Sequence, residues 1–94
     1  MMLMNAAAMR KITENARLDL GTQTIDQWME TYAIPEMKER AELGFSNYVV
    51  SNFPTFRATE TNKQLCQYTG RILNENGYDY STNKEKTKIT MIYW

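Results

Sequence analysis

The sequence predicts an α+β fold in the order α-α-β-α-β-β, with helices packed on a small three-stranded mixed sheet. Three observations carry this expectation. Residues 87–94 alternate Ile89, Met91 and Tyr93 with Lys88, Thr90, Ile92 and Trp94, the period of two that marks a strand. Asn76-Gly77 is a strong helix stop just ahead of them, so a helix and a hairpin adjoin. Upstream, apolar residues recur at helical spacing through residues 4–43.

In chain order, residues 4–19 read as a helix. Met9, Ile12, Ala16 and Leu20 form a narrow apolar stripe, Ala6, Ala7 and Ala8 have high helix propensity, and Gly21 is placed to end the segment. Thr22 or Thr24 is placed to cap a second helix whose apolar face is Ile25, Trp28, Met29 and Tyr32. Pro35 interrupts it, which predicts two parts, 24–33 and 35–43, stopped by Gly44. Residues 45–51, centred on Tyr48, Val49 and Val50, read as a strand that is central or covered on both faces. A loop follows, broken by Pro54, with Phe53 and Phe56 folding back onto the core. Thr59 is then expected to cap a third helix, 60–76, that buries Leu65, Tyr68 and Ile72, with Leu73 at the edge of that face, and turns Lys63, Gln67, Arg71 and Glu75 to water. The hairpin has strands at 78–81 and 87–94. A right-handed β-α-β crossover leaves the first two strands parallel, and the length and two-faced apolar content of the last strand suit the centre of the sheet.

The chain has 94 residues, enough for one domain, with a helical part (1–43) and a β-α-β-β part (44–94). A domain of this size buries only about 60–65% of its unfolded surface. Seven Met, two Trp, six Tyr and three Phe are generous for that length, and such chains often complete their burial in an oligomer. Eleven basic and eleven acidic residues cancel, so no global field draws the chain to nucleic acid or to an anionic membrane. A single cysteine, Cys66, allows no internal disulfide and is expected to be a small buried group. The absence of histidine removes the commonest general base and transition-metal ligand. The opening MMLMNAAAM is too short to span a membrane and lacks the basic start of a signal peptide.

No motif carries catalysis. The one E-x-K spacing, Glu36-Met37-Lys38, falls on a helix, whereas a metal nuclease needs it on a strand. Asp79 reads as the partner of a hairpin lysine, and the four glycines form no phosphate-binding loop. The expectation is a non-enzymatic protein without cofactor or metal. Two surfaces are candidates for binding. Met2, Leu3 and Met9 at the start, Trp28, Met29 and Tyr32 in the second helix, and Phe53 and Phe56 in the loop are the Met and aromatic types that interface cores favour. Arg57, Lys63, Lys84, Lys86 and Lys88, with Tyr78 and Tyr80 beside them, form a weak candidate patch for an anion or a nucleic acid; a solvated hairpin tip whose lysines discourage edge pairing accounts for them as well.

The helix running to Ala41-Glu42-Leu43-Gly44, the later stop Asn76-Gly77-Tyr78 and the final Ile92-Tyr93-Trp94 resemble small bacteriophage-encoded proteins that close on an Ile-x-Trp-like strand after a Leu-x-x-x-Gly-Tyr stop. Here the spacing from Leu73 to Tyr78 is longer, and Pro35 departs from an unbroken second helix. The resemblance implies a phage source, and so the cytoplasm of an infected bacterium or the virion. It implies an accessory protein that binds a host protein or a small ligand, the latter held between subunits, or else a structural or connector subunit of the virion. It implies no catalytic residue.

Overall fold

The computed structural model describes residues 5–94; Met2 and Leu3 of the candidate interface lie outside them. The elements are α1 (Ala6–Trp28), a π-turn (Met29–Ala33), α2 (Ile34–Glu42), β1 (Asn47–Val49), α3 (Thr59–Glu75), β2 (Asp79–Thr82) and β3 (Ile89–Tyr93). The α+β class and the element order are as expected from the sequence, but the first two helices are one continuous rod.

Gly21 does not end the first helix. It lies inside α1, buried where α1 crosses α3, and a Cβ there would come within 2.7 Å of Leu65 Cδ1. The glycine costs about 1 kcal/mol of helix propensity, and the close approach it permits offsets this. Thr22 and Thr24 are not caps; their hydroxyls donate to the carbonyls of Asp19 and Leu20 in the preceding turn. The cap is Asn5, whose Oδ1 accepts from the Ala8 N–H at 2.8 Å. Pro35 does not break the rod either. A proline ring clashes with the carbonyl four residues back. Ahead of Pro35 the ladder widens instead, with the Ile34 N–H reaching the Met29 carbonyl five residues back.

The sheet order is β1-β3-β2, with β3 antiparallel to both neighbours. The outer strands therefore run the same way, as predicted, yet every pairing is antiparallel and the sheet is not mixed. The central place of β3 matches the expectation; that of β1 does not. Strand β1 is a three-residue edge that turns Tyr48 inward and leaves Val49 exposed. Along β3 the strict alternation fails. A bulge opposite Ser81 and Thr82 passes over Thr90, and it leaves Ile89 and Ile92 as the two fully buried side chains of the strand. Asp79 registers with Tyr93 and forms no ion pair with a hairpin lysine.

The core joins Ile25 and Trp28 of α1, Met37 of α2, Leu65, Cys66 and Leu73 of α3, Tyr48 and Val50, and Ile89 and Ile92. Burying each large aliphatic group is worth about 1.5–3 kcal/mol. Thr69, the fully buried polar residue, donates its hydroxyl to the Leu65 carbonyl at 2.8 Å. Ala58, not Thr59, precedes the first turn of α3, and it offers no side-chain cap. The approach to this helix is fixed instead by Asn62, which both accepts from the Phe56 N–H and donates to the Phe56 carbonyl. Beside β1, Arg40 of α2 donates to the Asn47 carbonyl and side-chain oxygens and stacks 3.9 Å over the Phe45 ring.

The molecule measures 64 × 26 × 22 Å, with a radius of gyration of 16.2 Å, against about 12 Å for a compact chain of this length. The excess is the start of α1. Residues 6–20, about 22 Å of helix, bury no side chain, and the first buried residue of α1 is Gly21.

Gly70 faces β2 as Gly21 faces α3: a Cβ on it would lie 2.4 Å from the Tyr80 ring. Gly70→Ala is expected to lower stability in urea unfolding by about 1–3 kcal/mol, despite the better helix propensity of alanine. In a Tyr80→Ala background the same change is expected to be neutral or stabilising.

Candidate functional site

An open groove of about 760 Å³ lies between the rod and the end of α3. On the rod side, Met29 of the π-turn and Ile34, Met37 and Ala41 of α2 line it, with Lys38 as the charged group. On the other side are Ile72 and Leu73, the helix stop Asn76-Gly77, and Tyr78, and Trp94 closes one end. Each wall has a local cause. The widened π-turn presents Met29 and Ile34 together on one side, and such turns are frequent at functional sites. Gly77 takes φ +85°, a left-handed conformation that glycine adopts without strain, and this turns the chain from α3 into β2. Trp94 is held by its N–H to the Ser46 carbonyl at 3.0 Å and by an edge-on contact with Tyr78, ring centres 6.3 Å apart. Ile34 stays 51% and Trp94 39% exposed, so apolar surface on both walls remains open to an incoming group.

Two tyrosine–carboxylate pairs brace the helices behind the groove. The Tyr48 hydroxyl donates to Glu36 across α2 and β1, and the Tyr68 hydroxyl donates to Asp26 at 2.9 Å across α3 and α1. Burial, and then the adjoining Glu36 carboxylate, push the Tyr48 phenol well above its ordinary value; Tyr68 is raised for the same reasons with Asp26. Burial also raises the Cys66 thiol, which disfavours the thiolate, and the side chain packs in the core.

Of the candidate interface residues, Met29 lines the groove and Tyr32, in the same π-turn, stands 50% exposed. Trp28 and Phe53 are core groups, packed edge to face at 5.3 Å, with the Trp28 Nε1–H donating to Asn52 Oδ1. Phe56 is half-buried against the same core. Met9 lies apart, exposed on the projecting start of α1. Groove residues Ile34, Met37, Ile72, Leu73 and Trp94 were not among the candidates. Their apolar spacing alone does not separate a groove wall from a core face.

The candidate basic residues fall on different elements. Lys63 pairs with Glu60 at 3.7 Å on the first turns of α3. Arg57 borders a smaller hollow of about 350 Å³ with Arg17, Leu20 and Phe56. Lys84, Lys86 and Lys88 stand exposed around the hairpin turn. That turn is built on Asn83, whose Oδ1 accepts from the Thr87 and Lys88 N–H groups, with Lys86 at φ +58°. Among the described residues no cluster of three His, Cys, Asp or Glu side chains is placed to hold a metal ion, and no helix is long and apolar enough to cross a membrane.

Comparison with protein-family models, with curated proteins and with solved structures found no match to this chain.

The Tyr48 shift sets an alkaline limit. The ordinary phenol value is 10.0 and the folded value lies above it, so the folded state keeps a proton that the unfolded state releases. The contribution is fully present below pH 10 and is lost as pH rises through the folded value. Stability in urea is thus expected to fall above pH 10, by at most about 1.4 kcal/mol per pH unit from Tyr48. Tyr48→Phe, less stable at neutral pH, is expected to show a shallower decline; an equal slope would remove Tyr48 as its source.

Proposed function

We propose that this protein works by binding rather than by catalysis, as a bacteriophage-type accessory protein that acts as an assembly of its own copies. Its groove takes an apolar group of a protein partner or of a small ligand. The observation that carries this is the groove itself: about 760 Å³, walled by aliphatic, Met and aromatic side chains, open to solvent, and edged by Lys38 and Asn76 as orienting polar groups. A site of this kind gains its affinity from removing apolar surface from water and its orientation from a few polar groups. The exposed start of α1 supports the self-association part, because four turns of helix without tertiary packing are marginal alone in water.

A second reading, a structural or connector subunit of a virion, draws on the same projecting helix, which reaches well beyond the body toward any neighbour. Both readings imply the cytoplasm of an infected bacterium, or the particle made there. Nucleic-acid binding draws on less. The hairpin lysines are exposed, but Glu85 stands among them and the chain is neutral.

The test uses an anilinonaphthalene sulfonate dye, whose fluorescence rises in apolar sites. The wild-type chain is expected to bind it saturably. Ile34→Glu, a change at a half-exposed position, is expected to weaken binding at least tenfold with helix content unchanged by circular dichroism. Unchanged dye affinity in that variant would sink the groove as the binding site.

A further inference from the structure

The projecting part of α1 is uniform in exposure but not in chemistry. With 3.6 residues per turn, Met9, Ile12, Ala16 and Leu20 share one side of the helix. Met9 and Ile12 are each 51% exposed and Leu20 is 62% exposed. This stripe is not the upstream end of the core face. The residues by which α1 packs into the body, Gly21, Ile25 and Trp28, lie about 140° around the helix from it. Going toward the body, the stripe side continues through Gln23 and Gln27, which are polar and exposed. The body leaves that side open from Met9 to Ala16; at its inner end Leu20, though 62% exposed, borders with Arg17 the small hollow at Phe56 and Arg57.

The flanks of the stripe are charged, and of opposite sign. Arg10 and Arg17 lie on one flank and Asp19 on the other. The charge is self-complementary in one orientation only. When two such helices lie antiparallel, like flanks meet, and Arg10 and Arg17 of one chain face the same arginines of the other. When they lie parallel, unlike flanks meet, and Arg17 comes against Asp19.

We infer that a second copy of this chain covers the stripe, the two α1 arms lying side by side and parallel, with Met9, Ile12, Ala16 and Leu20 apposed across a twofold axis and Arg17 of each chain against Asp19 of the other. Ala16, the smallest of the four, lets the two backbones approach near the middle of the contact. The bodies, on the far sides of their helices, point away from each other and leave both grooves open. This rests on the self-association part of the proposed function and is independent of the groove.

Disulfide trapping of the full chain tests it. The native Cys66 is buried, so cross-linking reports the introduced cysteine. Ala16→Cys is expected to give a covalent dimer under mild oxidation, and Leu18→Cys, on the opposite side of the helix, at most a tenth as much. Equal yields from the two positions, or none from Ala16→Cys, overturn the parallel pairing. Charge reversal gives the second arm. In sedimentation equilibrium, Arg17→Asp and Asp19→Arg are each expected to weaken the dimer roughly tenfold, and the double variant to regain most of that loss. A wild-type chain that is monomeric at 100 µM by roughly any measure of mass, or a double variant no better than the singles, overturns the inference. Dye binding at the groove, read in the same variants, separates the two proposals, because these substitutions lie outside its walls.

Discussion

One helix face holds this molecule together. Leu65, Cys66, Thr69, Gly70 and Leu73 of α3 are all buried, and each part of that face meets a different neighbour. Leu65 sits in the notch that Gly21 leaves in α1, Gly70 lies under the Tyr80 ring of β2, and Leu73 reaches the floor of the groove. A 94-residue chain has little core to spare, so two of these contacts are made at the distance of closest approach, with glycine on one side of each. The rod also meets the sheet directly, through the bonds of Glu36 and Arg40 of α2 to Tyr48 and Asn47 of β1.

The glycines show where reading the sequence succeeds and where it fails. Gly44 and Gly77 were recognisable as helix stops because they follow the last apolar-periodic residue, and both take the positive φ that such stops use. Gly21 looks the same in sequence, since it too follows an apolar stripe. It differs because Leu65, more than forty positions away, occupies the space a side chain would need. That is tertiary information, and no local pattern holds it. The same limit applies to β3. Its period of two identified the strand and its place in the sheet, but the bulge that sets which side each isoleucine takes depends on pairing with β2.

The groove was out of reach for a related reason. Trp28, Met29 and Tyr32 read as one apolar cluster, but the π-turn that begins at Met29 changes the angular spacing there. Trp28 is thereby left in the core, Met29 at the groove wall and Tyr32 outside. Pro35 was the visible sign of a disturbance in the helix; that the chain would absorb it by widening, not by breaking, follows from the packing of Ala33 and Met37 on either side of it.

Arg40 has a consequence for how copies of this chain can and cannot join. The carbonyl of Asn47 points away from β3, on the outer side of the sheet, where a further strand would dock. The guanidinium of Arg40 already occupies that acceptor, at 3.3 Å, while lying flat on Phe45. A strand arriving at this margin would have to displace a charge-assisted bond and an aromatic stack to gain one backbone bond. Growth of the sheet from molecule to molecule, the route that leads to fibrils, is thus blocked on the β1 side by a residue of α2. The block is one-sided, because β2 forms the other margin of the sheet.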